Sequence, residues 1–240
     1  MPFARIRKLS RILRCKPYRR ALRSGVAAST EHERLLGVLD CRTIVDIGAN
    51  RGQFALVAHT LIPDANIISF EPLAQPGRKF RDLFNGNKQV RLHRVAIGPE
   101  RCTADIHVSG RDDSSSLLPI TELQDQLHPG TAESGLEKVQ VERLASLLSV
   151  EEISAPALLK LDVQGYELET LRGCLDLLPS FAYVYVECSF VELYRGQAFA
   201  DQVIAFLREH GFVLTGIYSL YHDKNGRALD GDFFFRNSRT

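Results

Sequence analysis

From Thr43 onward, short apolar runs alternate with stretches of helical period. Thr43–Gly48 (TIVDIG) reads as a buried strand and Gln53–Leu61 as the helix after it, stopped by Pro63. Asn66–Glu71 (NIISFE) gives a second strand. Arg78–Phe84 lies in a second helix closed by Asn85-Gly86, and Val90–Ile97 gives a third strand. Short strands rich in β-branched and aromatic residues, spaced by helices, imply parallel β-α-β units and a sheet covered on both faces.

The middle breaks that rhythm. Thr103–Val108 (TADIHV) and Lys138–Arg143 (KVQVER) alternate like half-buried strands. Between them Arg111–Gly135 is polar and rich in Ser, Pro and Gly, with a short helical piece near Ile120–Leu127. Residues 100–143 therefore read as an insertion whose strands extend a sheet edge and whose loop is mobile, the kind of segment that serves as a lid or binding loop. Regular alternation then resumes. Ala157–Val163 is a strand, and Tyr166–Leu178 a helix broken by Gly173 and ended by Pro179. Phe181–Glu187 is a strand and Phe199–His210 a helix stopped by Gly211. Phe212–Tyr218 and Asp232–Arg236 close the sheet as a hairpin turned at Asn225-Gly226. The predicted fold is α/β, a doubly wound, seven-stranded, mostly parallel sheet of Rossmann-like type. Its closing hairpin favours a class I methyltransferase arrangement over a nucleotide dehydrogenase.

Charge adds a division of the chain. The net charge is +1, yet residues 1–30 hold nine Lys or Arg and no acid. Subtracting those nine leaves residues 31–240 at −8, which argues against a nucleic-acid partner for the body. The chain divides into a basic N-terminal extension, residues 1–30, and a catalytic domain, residues 31–240. Within the extension Phe3, Ile6, Leu9 and Leu13 recur at helical spacing. Peripheral membrane contact through residues 1–23, a basic arm packed on the acidic body, and an organellar transit peptide all remain open. Five scattered cysteines without a C-x-x-C fit a reducing, cytoplasmic setting. No apolar run approaches the ~20 residues that span a bilayer.

The strongest local chemistry is Val45-Asp46-Ile47-Gly48-Ala49-Asn50-Arg51-Gly52, where a strand turns into a helix. Gly48 allows the turn, and Gly52 allows the helix to pack close to a ligand. The spacing is G-x-x-x-G rather than the G-x-G-x-x-G of dinucleotide binders. It suits a donor with no pyrophosphate, whose amino-acid end Asp46 and nearby backbone groups would hold. Glu71 ends the second strand 23 residues after Gly48, near the spacing of a carboxylate that grips a ribose diol. Asp162 ends the fourth main strand, facing the ligand crevice, and shares a strand face with Lys160. It reads either as the residue that orients donor or attacking hydroxyl, or as a structural partner of Lys160. Glu187 ends the fifth strand toward the same crevice. Two carboxylates without a third ligand make a weak metal case, so no metal is predicted.

With those elements in order, the chain resembles the FkbM-type methyltransferases over roughly residues 43–236. The resemblance rests on VDIGANRGQF (Val45–Phe54), SFEP (Ser69–Pro72), VAIG (Val95–Gly98), SSSL (Ser114–Leu117), LLKLDVQGYELETLRG (Leu158–Gly173) and DFFFRN (Asp232–Asn237). It implies S-adenosyl-L-methionine as cofactor and transfer to oxygen on a sugar, glycolipid or other small molecule. By matching position, Asp46, Gly48, Asn50, Gly52 and Glu71 would contact the cofactor, together with Ala96 of VAIG and Ser116 of SSSL. Asp162 would lie at the reaction centre, and Gln164 stands where many members carry Glu. Methyl transfer from a sulfonium needs alignment and a polar, dry pocket, and a hydroxyl acceptor also needs its proton removed. Candidate bases are Asp162, Glu187 and His93, the last reading more readily as a polar surface or sheet-edge residue of the third strand. An NAD-dependent oxidoreductase and a non-catalytic adapter are the alternative readings.

Overall fold

The computed structural model describes residues 2–239, with side chains from Lys8 onward. Phe3 and Ile6 therefore fall outside the described side chains. In chain order the elements are α1 (Pro2–Arg14), α2 (Lys16–Arg23), α3 (Glu33–Leu36), β1 (Thr43–Ile47), α4 (Gln53–Leu61), β2 (Asn66–Phe70), α5 (Ala74–Leu83), β3 (Val90–His93) and β4 (Ala96–Ile97). There follow β5 (Cys102–Ser109), α6 (Glu122–Leu127), β6 (Glu133–Glu142), β7 (Ala157–Leu161), α7 (Glu167–Gly173), β8 (Tyr183–Ser189), α8 (Ala200–Glu209), β9 (Phe212–His222) and β10 (Ala228–Asn237).

The main sheet has the order β3-β2-β1-β7-β8-β10-β9. Its first five strands pair in parallel, and β10 runs antiparallel to both β8 and β9. β1 and β7 are buried along their whole length, which explains their unbroken apolar runs. The chain winds outward from β1 through β2 to β3, then crosses back to β7 on β1's other side. That reversal opens a crevice at the strands' carboxyl ends, where open α/β sheets bind ligands. One apolar layer packs Leu171 of α7 and Val203 and Leu207 of α8 on one face of the sheet. The opposite layer joins α4 to Ile12, Tyr18 and Ala21 of the N-terminal helices.

Three details differ from the sequence pattern. Val90–Ile97 is two strands in different sheets, because the chain turns at Arg94 and Ala96–Ile97 pairs with β6. Alternation continues on both sides of that bend, so periodicity alone hides it. The insertion's strands do not extend an edge of the main sheet but form a second, three-stranded sheet, β4-β6-β5. The helix predicted to reach Leu178 ends at Gly173, and Leu178–Ser180 is a separate single turn.

Candidate active site

A cavity of about 500 Å³ opens at the carboxyl ends of the central strands. Gly48, Asn50, Glu71, Ala96, Ser116, Asp162 and Glu187 all line it. Its floor is the loop after β1, where the amides of Gly48 and Ala49 both donate to the Phe70 carbonyl at 3.0 Å. The loop keeps φ positive at Gly48, Asn50 and Gly52. Glu71 ties this loop to the next: Oε2 accepts the Asn50 amide at 2.9 Å and Oε1 accepts that of Leu73 at 2.8 Å. Burial drives its pKa up to about 7, against those two hydrogen bonds, which favour the anion.

The roof comes from the insertion. Asn50 Nδ2 donates to the Asp112 carbonyl at 2.9 Å, and Arg51 Nε to Asp112 Oδ2 at 2.7 Å. Ser116 Oγ donates to the Gln164 carbonyl at 2.6 Å and accepts the Leu118 amide, so its hydroxyl fastens the roof to the loop after β7. At that loop Gln164 holds φ +55°. Its Nε2 donates to Asp162 Oδ1 at 2.8 Å and to Glu187 Oε2 at 2.9 Å, while its Oε1 accepts the Tyr194 hydroxyl at 2.5 Å. Burial and the neighbouring carboxylates Asp162, Asp230 and Asp232 push the Glu187 pKa well above the usual range. An amide that bridges two acids needs no charge of its own, which gives Gln164 a role that Glu would not fill in the same way.

Three predicted site residues stand elsewhere. Asp46 is fully buried and faces the Lys160 ammonium at 3.0 Å, outside the cavity lining. Lys160 also donates to the Gly48 carbonyl at 3.2 Å, so the pair supports the glycine loop from beneath. Gly52 is likewise absent from the lining: a Cβ there would stand 2.8 Å from Phe84 and 3.0 Å from Phe80. Its bare backbone serves the packing of α4 on α5, not a ligand. His93 stacks on Phe70 with ring centroids 5.0 Å apart, away from the cavity. Gly48 does line the cavity, but a Cβ on it would overlap the Asp162 carbonyl. The close approach of β1 and β7 demands glycine there before any ligand does.

Residues unmarked by the sequence reading complete the walls. His32, Tyr194, Asp230 and Asp232 all line the cavity. Asp230 and Asp232 belong to the closing hairpin; Asp232 opens the DFFFRN motif without a role of its own, and Asp230 falls just before the strand read from sequence. His32 lies in the single turn before α3, where no periodicity or spacing singles it out.

These walls suit a cationic donor. Carboxylates Glu71, Asp162, Glu187, Asp230 and Asp232 surround the space, against the buried cation Lys160. A model of the methyltransferase FkbM domain matches residues 46–214 of the chain. The chain belongs to that family. It is an S-adenosylmethionine-dependent methyltransferase, and the reading as a nucleotide-dependent oxidoreductase falls. The 2-O-methyltransferase NoeI of Sinorhizobium fredii is 25% identical over 94% of this chain and 93% of its own. The 31-O-demethyl-FK506 methyltransferase FkbM of Streptomyces tacrolimicus is 28% identical over 72% and 73% respectively. A solved putative tRNA (m1A22) methyltransferase from Streptococcus pneumoniae superposes on 86% of this chain and 72% of its own, with 10% identity and a TM-score of 0.49. Among the described residues no helix is long and apolar enough to cross a membrane.

Proposed function

We propose that this FkbM-family enzyme methylates a hydroxyl oxygen of a polyhydroxylated small molecule, a sugar or the sugar head of a glycolipid. The observation that carries the reading is the line of carboxyl groups on one wall: Asp162, Glu187, Asp230 and Asp232 around the end of β7 and the closing hairpin. Carboxylates in a half-enclosed space pair well with the donor hydrogens of several hydroxyls. Two relatives whose names describe O-methylation add support. Bound cofactor supplies an electrophilic methyl on a sulfonium. Glu71 holds the ribose diol; Gly48, Asn50, Ala96 and Ser116 border the rest of that half. Asp162, fixed by Gln164, orients the acceptor hydroxyl and balances positive charge, and Glu187, held beside it by the same amide, adds a second carboxyl to the acceptor pocket. The chain's contribution is alignment and electrostatic fit.

The glycolipid form of the reading draws on the N-terminal helices. Lys8 and Arg11 are paired with Glu31 and Glu33 at 2.9 and 2.8 Å, which leaves Arg14, Lys16, Arg19, Arg20 and Arg23 exposed. Leu9 and Leu13 lie 50% and 47% exposed on the same helix as Lys8, a residue of the cavity lining. Basic and apolar side chains so placed suit an anionic membrane surface next to the cavity mouth.

The deciding experiment has two arms. S-adenosylhomocysteine and NAD are titrated separately while melting is followed, and only the former should raise the transition. Labelled methyl donor is then incubated with metabolite and lipid extracts, and the labelled product is identified by mass spectrometry. A product methylated on nitrogen or carbon would overturn the oxygen assignment.

A further inference from the structure

We propose that His32 is the general base of the transfer: its Nε2 takes the proton of the acceptor hydroxyl, and Tyr185 with Asp232 holds the ring in the tautomer that leaves Nε2 free. This rests on the O-methylation reading above. His32 lies outside the segment that defines the family match, in the single turn Thr30–His32 between α2 and α3.

The ring is fixed on two sides. It meets Phe54 edge-on at 5.3 Å between centroids and Tyr185 at 5.5 Å, with interplanar angles of 70° and 88°. Its Nδ1 lies 3.0 Å from the Tyr185 hydroxyl oxygen and 3.7 Å from Asp232 Oδ2. Asp232 Oδ2 therefore lies on the Nδ1 side of the ring, beside the Tyr185 hydroxyl. In the arrangement the proposal requires, the Tyr185 oxygen accepts Nδ1–H from His32 and the tyrosine proton points to Asp232. That order places the single ring proton on Nδ1 and a lone pair on Nε2, because the partner of one nitrogen sets the state of the other. Nε2 has no hydrogen-bond partner among the described residues, and His32 lines the cavity.

Its place is also right for the reacting corner. Asp232 stands opposite Glu187 in the β10–β8 register, and Glu187 joins Asp162 through Gln164. The other candidates are engaged: Glu187 Oε2 accepts from Gln164 Nε2, and Asp162 accepts from the same amide at Oδ1 with Lys160 Nζ 3.7 Å from its Oδ2. Burial lowers the His32 pKa to about 4, with Lys160 and Lys8 lowering it and Glu31 and Asp162 raising it, so the ring enters the cycle uncharged. With donor and acceptor bound, methyl transfer to the acceptor oxygen would break the carbon–sulfur bond, and His32 Nε2 would take the hydroxyl proton. The resulting imidazolium would face Asp232, Asp162 and Glu31. The proton then leaves to solvent through the cavity mouth.

The tautomer is read directly from long-range proton–nitrogen spectra of protein carrying ¹⁵N-histidine, bound to S-adenosylhomocysteine at neutral pH, with His32 assigned by its loss in His32→Gln. The expected spectrum has Nδ1 protonated and Nε2 bare; a proton on Nε2 overturns the proposal. In parallel, His32→Gln and His32→Ala are assayed for transfer of tritiated methyl into the extract. Transfer should fall by ~10²–10⁴-fold, the span of a general base, while S-adenosylhomocysteine affinity measured by calorimetry stays unchanged. Added imidazole should restore part of the activity to His32→Ala. Wild-type transfer by His32→Gln overturns the proposal, and failure of the wild-type protein to bind S-adenosylhomocysteine overturns both it and the reading beneath it.

Discussion

Lys160 Nζ stands 3.0 Å from Asp46 Oδ1, and the two side chains are 5% and 0% exposed. An ammonium and a carboxylate this deeply buried are tolerable only together, since either alone would carry its full desolvation cost. Asp46→Asn should therefore destabilise the protein by about 3–5 kcal/mol, the range for breaking a buried pair. The Asp46→Leu, Lys160→Met double variant should recover most of that loss. Denaturant midpoints of the single and double variants check the pairing.

Asp46 is the nearer partner of Lys160, at 3.0 Å against 3.7 Å for Asp162, so the ammonium keeps a buried counter-charge when Asp162 is neutralised. Asp162→Asn should keep the melting temperature close to wild type and preserve S-adenosylhomocysteine affinity. Turnover should fall by ~10²-fold, as when one preorganised electrostatic group at a reacting centre is removed. A large drop in melting temperature would show that Asp162, too, is structural.

The two glycines of the loop should fail differently. Gly48→Ala puts a Cβ into the Asp162 carbonyl at φ +81°, so circular dichroism should find no folded protein. Gly52→Ala meets only the edges of Phe84 and Phe80, at φ +88°. It should cost ~1–3 kcal/mol from strain and overpacking and leave S-adenosylhomocysteine affinity nearly intact.

The proposed grip of Glu71 on the ribose would link cofactor binding to pH. Its folded pKa is raised from 4.5 to about 7, so between those values the folded protein holds a proton that the unfolded chain has lost. Its contribution to stability is full below about pH 4.5 and is lost as pH rises through about 7. Ribose binding runs the other way, because the ionised carboxylate is the better acceptor. S-adenosylhomocysteine affinity should weaken as pH falls from 8 to 6, and Glu71→Gln should flatten that dependence. Calorimetry across this window tests both.

Leu9→Asp with Leu13→Asp should abolish co-sedimentation with phosphatidylglycerol vesicles while leaving cofactor affinity unchanged. Wild-type binding should weaken as salt rises, because the basic contribution is screened. Removing residues 1–23 would be a poorer test, since Tyr18 and Ala21 belong to the core. Equal sedimentation of wild-type and double-variant protein would refute the membrane surface.

The sequence by itself determined the alternating architecture, the glycine loop at the end of β1 and the carboxylates Glu71, Asp162 and Glu187 at strand ends. Those are local properties: apolar period, turn chemistry and the rule that strand carboxyl ends meet the ligand. Tertiary structure alone decided which charged groups are partners and which reach the cavity. Along the chain Asp162, two residues away, is the evident partner of Lys160, yet strand register sets Asp46 directly beside it in β1 and β7. The break at Arg94 turns on the pairing of β4 with β6, a partner more than forty residues distant. His32 and Asp232 are separated by almost the whole chain and come within 3.7 Å only because the closing hairpin folds back beside β8. No local pattern records such a meeting, since it is set by the long-range pairing and burial of elements that are each ordinary in sequence.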